Sequence, residues 1–192
     1  MTALLITLLA PVAGAVVLAL LTSLRQAGWV NVAACAVSLA AAVWLAWTVA
    51  AAGEISGFSF RVDAFNVYLV VLTTFVGLTT SIFSRPYMRH VCDSGQTSVT
   101  GMRIYHAMYQ GFMFTMLLAL TTDNLGILWV AIEGATLTTV LLVSLYRTPE
   151  AVEAAWKYFI LCGVGIALAL FGTVLTYFAA QHVLADPEAG LT

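Results

Sequence analysis

Glu133 lies in the middle of an apolar run, 125–146, that contains no other charged residue. Lys157, the only lysine in the chain, lies in the next run, 151–181. If both runs cross a bilayer, an ionised carboxylate near its centre costs at least about 2.5–3.5 kcal/mol, so Glu133 must be protonated, paired or hydrated there. A group that passes among those three states can hold and release a proton. Proton transfer inside the membrane is therefore the chemistry these residues offer, with Glu133 as carrier and Lys157 as its modulator. At 1.5 Å per residue the two differ in depth by on the order of 10 Å, too far for a static ion pair but within reach of one or two bridging waters. Hydroxyls at Thr136, Thr138, Thr139 and Ser144 line the same run and can solvate such a path. The plainer alternatives are a protonated packing residue at Glu133 and a snorkelling interface anchor at Lys157.

The composition supports the premise that these runs are membrane spans. The 192 residues are 62% hydrophobic and 8% charged, against roughly 25% charged in ordinary soluble domains. Mean hydropathy is +1.00. A helix needs about 20 apolar residues to cross a bilayer core, so the chain has room for about six crossings. The expected fold class is an all-α, polytopic membrane protein. A net charge of −2 with no basic run gives no footprint for a phosphate backbone, which excludes nucleic-acid binding. Cys35, Cys92 and Cys162 are isolated, as are His90, His106 and His182, so no metal, flavin, haem or disulfide framework is expected. Gly163-Val164-Gly165 follows no strand and is not a dinucleotide loop. No nucleophile elbow or P-loop is present, so a catalytic site within the chain is not expected, and neither is a cofactor.

The elements follow from apolar runs and punctuation. Residues 3–22 have no basic residue before them and read as a retained helix rather than a cleaved leader. A second helix covers 29–52. Residues 53–63 alternate polar and apolar types between glycines, as a short interfacial hairpin does, with Arg61 and Asp63 expected to pair within it. A third helix covers 64–84 and is expected to stop at Arg85-Pro86. Residues 85–103 read as the one substantial loop, followed by helices over 104–121, 125–146 and 151–181 and a terminal loop over 184–192. This divides the chain into an N-terminal region, 1–103, and a region of three further helices, 104–192. Asp123, Glu150 and Glu153 are expected to complement helix starts. Trp29, Trp129, Trp156 and Tyr146 are expected in interfacial belts. Gly163, Gly165, Ala169 and Gly172 are small enough to admit a neighbouring helix. Arg25, Arg85, Arg89, Arg103 and Arg147 fall on one face, with Arg61 alone on the other. The positive-inside rule then puts both termini on the periplasmic or outer side of a plasma or inner membrane.

The segment 123–137, DNLGILWVAIEGATL, followed by EAAWKYFIL at 153–161, resembles the antiporter-like proton-channel subunits of respiratory complex I and of membrane-bound hydrogenases, most of all the component F type of hydrogenase-4. FRVDAF at 60–65 agrees with that pattern. The resemblance implies proton movement coupled to an electron-transfer module on partner subunits, so the chain itself is expected to be a non-redox membrane subunit. It matches Glu133 to the principal channel glutamate of the fifth helix and Lys157 to a recurring lysine of the sixth. It also implies about fourteen helices in two inverted repeats, whereas this sequence covers the N-terminal flank and three helices of the first repeat. A lysine of a broken seventh helix, the usual partner of the glutamate, is not in it. Three arrangements fit: a fragment, a split channel whose second chain supplies the later helices, or a shortened relative that serves assembly alone. Each implies other membrane subunits of a hydrogenase or complex I-like assembly as partners.

Overall fold

The computed structural model describes residues 1–20 and 24–181. Its elements are α1 (Thr2–Leu20), α2 (Leu24–Ala52), β1 (Ile55–Gly57), β2 (Phe60–Val62), α3 (Ala64–Asp93), α4 (Val99–Thr121), α5 (Leu125–Val143), a 3₁₀ turn (Ser144–Tyr146) and α6 (Pro149–Gln181). Five helices, all but α4, are long and apolar enough to span a membrane. The sixth, α4, is a 23-residue helix packed against α1, α2, α3 and α5. Its polar residues His106, Gln110 and Thr121 are buried by these neighbours, which explains how a less apolar helix belongs in the bundle. The terminal loop expected over 184–192, together with His182, lies outside the described residues.

The main core forms where α1, α2, α3 and α4 meet the hairpin. Leu4 and Leu8 of α1 pack there with Leu45 and Val49 of α2, Val62 of β2, Val70 of α3 and Leu117 of α4. Along α1 the buried positions Leu4, Leu8, Pro11, Gly14 and Leu18 recur every three or four residues, the period of one helix face. Gly14 is required there, because a Cβ on it would stand 2.8 Å from Cβ of Ala34 in α2.

The hairpin forms as expected, with Ile55 opposite Val62 and Gly57 opposite Phe60. Its turn residues are Phe58 and Ser59, both in the left-handed region at φ 48° and 63°. That geometry matches strand twist but usually recruits Asn or Gly. The hairpin docks on the α4–α5 turn: Phe60 bridges to Thr122, and the Asp123 amide donates to the Ser59 carbonyl at 2.8 Å.

Several local expectations are corrected. The third helix does not stop at Arg85-Pro86 but runs on to Asp93. Proline removes one N–H but keeps a helical φ, and Ser81, Ser84, Met88 and Val91 continue a single buried face across it. The loop at 85–103 shrinks accordingly, since α4 begins at Val99, where the Ser98 hydroxyl accepts from the Gly101 amide at 3.0 Å. Arg61 pairs with Glu54 at 2.8 Å rather than with Asp63. Asp63 instead caps α3, accepting from the amides of Phe65 and Asn66 at 2.9 and 2.8 Å. The α5 cap is Asn124 rather than Asp123, its Oδ1 accepting from Gly126 and Ile127.

Candidate functional site in the α5–α6 arm

α5 and α6 are antiparallel neighbours joined through the 3₁₀ turn and Arg147, which ends that turn at φ 52°. The Trp129 indole fixes their register by donating to the Ile166 carbonyl at 2.8 Å. Trp129 is thus an interhelical latch. One turn beyond it stands Glu133, eight residues after the start of α5 at Leu125 and ten before its end at Val143. Gly134, beside it, lets α4 approach closely: a Cβ there would meet Thr115 Cγ2 at 2.9 Å. The glutamate is half-buried and makes no hydrogen bond or ion pair among the described residues.

Lys157 stands eight residues into α6. Counting outward from the Trp129–Ile166 bond puts it level with Thr138, about 8 Å along the axis from Glu133 at 1.5 Å per residue. The structure does not join the two side chains. Lys157 is exposed and donates to Glu153 one turn back on its own helix. Glu153, expected only to complement the start of α6, is therefore the ion-pair partner of the lysine, and Glu150 is left as the acidic residue of the first turn.

The hydroxyls expected to solvate a path donate within α5. Thr136 bonds to Ile132, Thr138 to Gly134, Thr139 to Ala135 and Ser144 to Leu141, at 2.8–3.1 Å. Each oxygen keeps lone-pair capacity for a water or a proton donor. Toward the end of the arm, an apolar cleft of about 420 Å³ opens between α5 and α6, lined by Leu137, Leu141, Val152, Trp156 and Phe159 among others. It begins one turn from Glu133.

The basic residues gather at one end of the bundle. Arg103 donates to the Ala19 carbonyl at the end of α1, and the Arg85 guanidinium lies 3.8 Å from the centre of the Trp29 ring. At the same end Tyr87 and Tyr146 share a hydroxyl hydrogen bond at 3.3 Å, which ties α3 to the α5–α6 connection. Arg61 stands with the hairpin at the opposite end.

Comparison with known proteins bears on the fold and on what the chain is similar to. The family NADH-Ubiquinone oxidoreductase (complex I), chain 5 N-terminus matches residues 47–98. The chain is 42% identical over 184 residues to the Hydrogenase-4 component F homolog of Methylacidiphilum infernorum, covering 96% of this chain and 38% of that protein. By sequence it is thus similar to subunits of hydrogenase-4 and NADH-quinone oxidoreductase type. It is also 31% identical over 190 residues to NADH-quinone oxidoreductase subunit L of Mycobacterium tuberculosis, covering 87% of this chain and 28% of that one. The chain thus spans well under half the length of these relatives. Among solved structures, a chain of the membrane-bound sulfane sulfur reductase, an archaeal respiratory membrane complex, superposes with a TM-score of 0.77. That match covers 94% of this chain and 38% of the other at 18% identity, so it speaks for the fold alone.

Sequence reasoning missed the latch at Trp129 and the Lys157–Glu153 pair, although a Glu four residues before a Lys is a readable helical signal. It also passed over Asn31, His106 and Gln110, polar residues without exposed surface in the N-terminal bundle. Their signal was each residue's isolation within an apolar run.

Proposed function

We propose that this chain is part of a membrane subunit in a redox-driven, proton-translocating complex of the hydrogenase or NADH dehydrogenase type, and that Glu133 carries the proton. The observation that carries this reading is a mid-helix carboxylate with no ion-pair partner among the described residues, in a helix apolar enough to span the membrane. Similarity to component F and NADH-quinone oxidoreductase proteins supports the host class. The inner or plasma membrane is the proposed location, with the basic end facing the cytoplasm and both termini outside. Lys157 modulates Glu133 by exchanging between two states, one paired to Glu153 and one turned toward a hydrated space between the helices. Other membrane subunits cover the arm, and a second chain or further sequence supplies the remaining helices of the path.

Glu133→Gln in the assembled complex is expected to abolish proton translocation while the complex still assembles. Proton uptake by inverted vesicles, with subunit content checked by native gel, measures both. Unchanged pumping rejects the carrier role. A structural role alone has its own supporting observation, the almost fully uncovered α6. On that reading Glu133→Gln and Lys157→Met both leave transport intact, and only truncation of α6 disrupts the complex.

A further inference from the structure

The proposed path on α5 and α6 does not use the polar site buried between α1, α2 and α4. Asn31, His106 and Gln110 have no exposed surface. The Gln110 amide nitrogen donates to Asn31 Oδ1 at 2.8 Å, to the Asn31 carbonyl at 3.1 Å and to Cys35 Sγ at 3.2 Å. That carbonyl fixes the sense of the amide, because reversing it would set two acceptors face to face. His106 precedes Gln110 by one helical turn, so both side chains lie on one face of α4. Gly14 of α1 packs closely on Gln110, since a Cβ on it would stand 3.4 Å from Gln110 Cδ.

The site is polar but incompletely bonded. Gln110 Oε1, Asn31 Nδ2 and both ring nitrogens of His106 have no hydrogen-bond partner among the described residues, and Ser38 Oγ, two turns along α2 from Asn31, has none either. Buried polar groups in native proteins are almost always satisfied, by protein or by ordered water. The unmet set mixes donors and acceptors: an amide oxygen accepts, an amide NH₂ donates, and a neutral imidazole does one of each. A cation would be opposed by the Asn31 donor and an anion by the Gln110 oxygen. Water, with two donors and two lone pairs, can answer both kinds of group.

We propose that ordered water occupies the site between α1, α2 and α4, bridging the His106 imidazole to the Gln110–Asn31 pair. The N-terminal bundle then has a hydrated centre of its own, on a different flank of α4 from the one that meets α5 through Gly111 and Thr115. Water-resolving cryo-electron microscopy of the assembled membrane complex tests this without any substitution. The expected result is a discrete peak within about 3.2 Å of both Gln110 Oε1 and a His106 ring nitrogen. Direct protein hydrogen bonds at both groups, or apolar packing with no peak, overturn the proposal. Where density at the imidazole is too weak to interpret, radiolytic labelling in ¹⁸O water decides. Incorporation of ¹⁸O at His106 under pulses that leave Leu45 and Leu117 unlabelled supports the water, and an unlabelled His106 overturns it. Neither outcome depends on how Glu133→Gln behaves.

Discussion

α4 and α6 are both long helices in an apolar chain, yet they are sequestered in opposite ways. α4 is the less apolar of the two and buries eight residues, among them His106, Gln110 and Thr121. α6 is more apolar and buries one, Ala155. Phe171, Leu161 and Leu168 stand well exposed along α6, and around Gly163, Gly165 and Gly172 no atom would come within 4 Å of an added Cβ. In water this would mark α6 as misfolded. In a bilayer lipid tails are as apolar as leucine, so hydrophobicity alone does not draw a helix inward, whereas polar groups and close packing do. Between these two helices, buried polar groups rather than greater hydrophobicity mark the one that lies inside.

That contrast can be broken experimentally, and the largest effect is expected in the core. Leu45→Ala leaves a cavity where α1, α2 and α3 meet and should cost about 2–5 kcal/mol in reversible unfolding in bicelles, whereas Leu161→Ala on α6 should stay within about 0.5 kcal/mol. Equal losses at both sites would mean that α6 is packed in the isolated chain. Next comes Gly14→Val, which drives a side chain into Ala34 and is expected to cost about 1–3 kcal/mol. Gly163→Ala should leave the isolated chain unchanged, so weakened co-purification of partner subunits with that variant would sharpen the comparison by locating what covers α6.

Smaller effects separate caps from ion pairs. Asp63→Ala should lower stability by about 0.5–2 kcal/mol through loss of the α3 cap, while Asp63→Asn, which can still accept from the Phe65 and Asn66 amides, should lose much less. If Asn proves as damaging as Ala, the carboxylate charge matters and the cap explanation fails. Smallest of all, Lys157→Met should change stability by only about 0.3–0.5 kcal/mol, because its bond to Glu153 is exposed and of the i,i+4 kind. A loss several times larger would show that the lysine is held by something besides Glu153.

Much of the fold was legible because apolar runs, the 53–63 alternation and the cap-rich 122–124 turn are local signals. Pro86 was misread because the cost of a proline is local while its remedy is tertiary: burial of Met88 and Val91 carries α3 past it. Arg61 and Asp63 are neighbours in sequence, but β-pairing sets Arg61 near Glu54 across the hairpin and frees Asp63 to cap. Phe58 and Ser59 gave no turn signal, since neither type favours the left-handed region they occupy. At the candidate site, the mid-helix place of Glu133 and its offset along the axis from Lys157 followed from counting residues. The Lys157–Glu153 pairing needed only the helical period, whereas the Trp129 bond to Ile166 needed the register between two helices, which no single segment encodes.

The hairpin is knitted to the α4–α5 turn chiefly through main-chain atoms, the Asp123 amide to the Ser59 carbonyl and Phe60 against Thr122. The Thr122 hydroxyl adds a side-chain bond to it, donating to the Ser59 carbonyl at 3.2 Å. An imino acid at position 123, with no amide hydrogen to give, unhooks the main-chain part of that clasp.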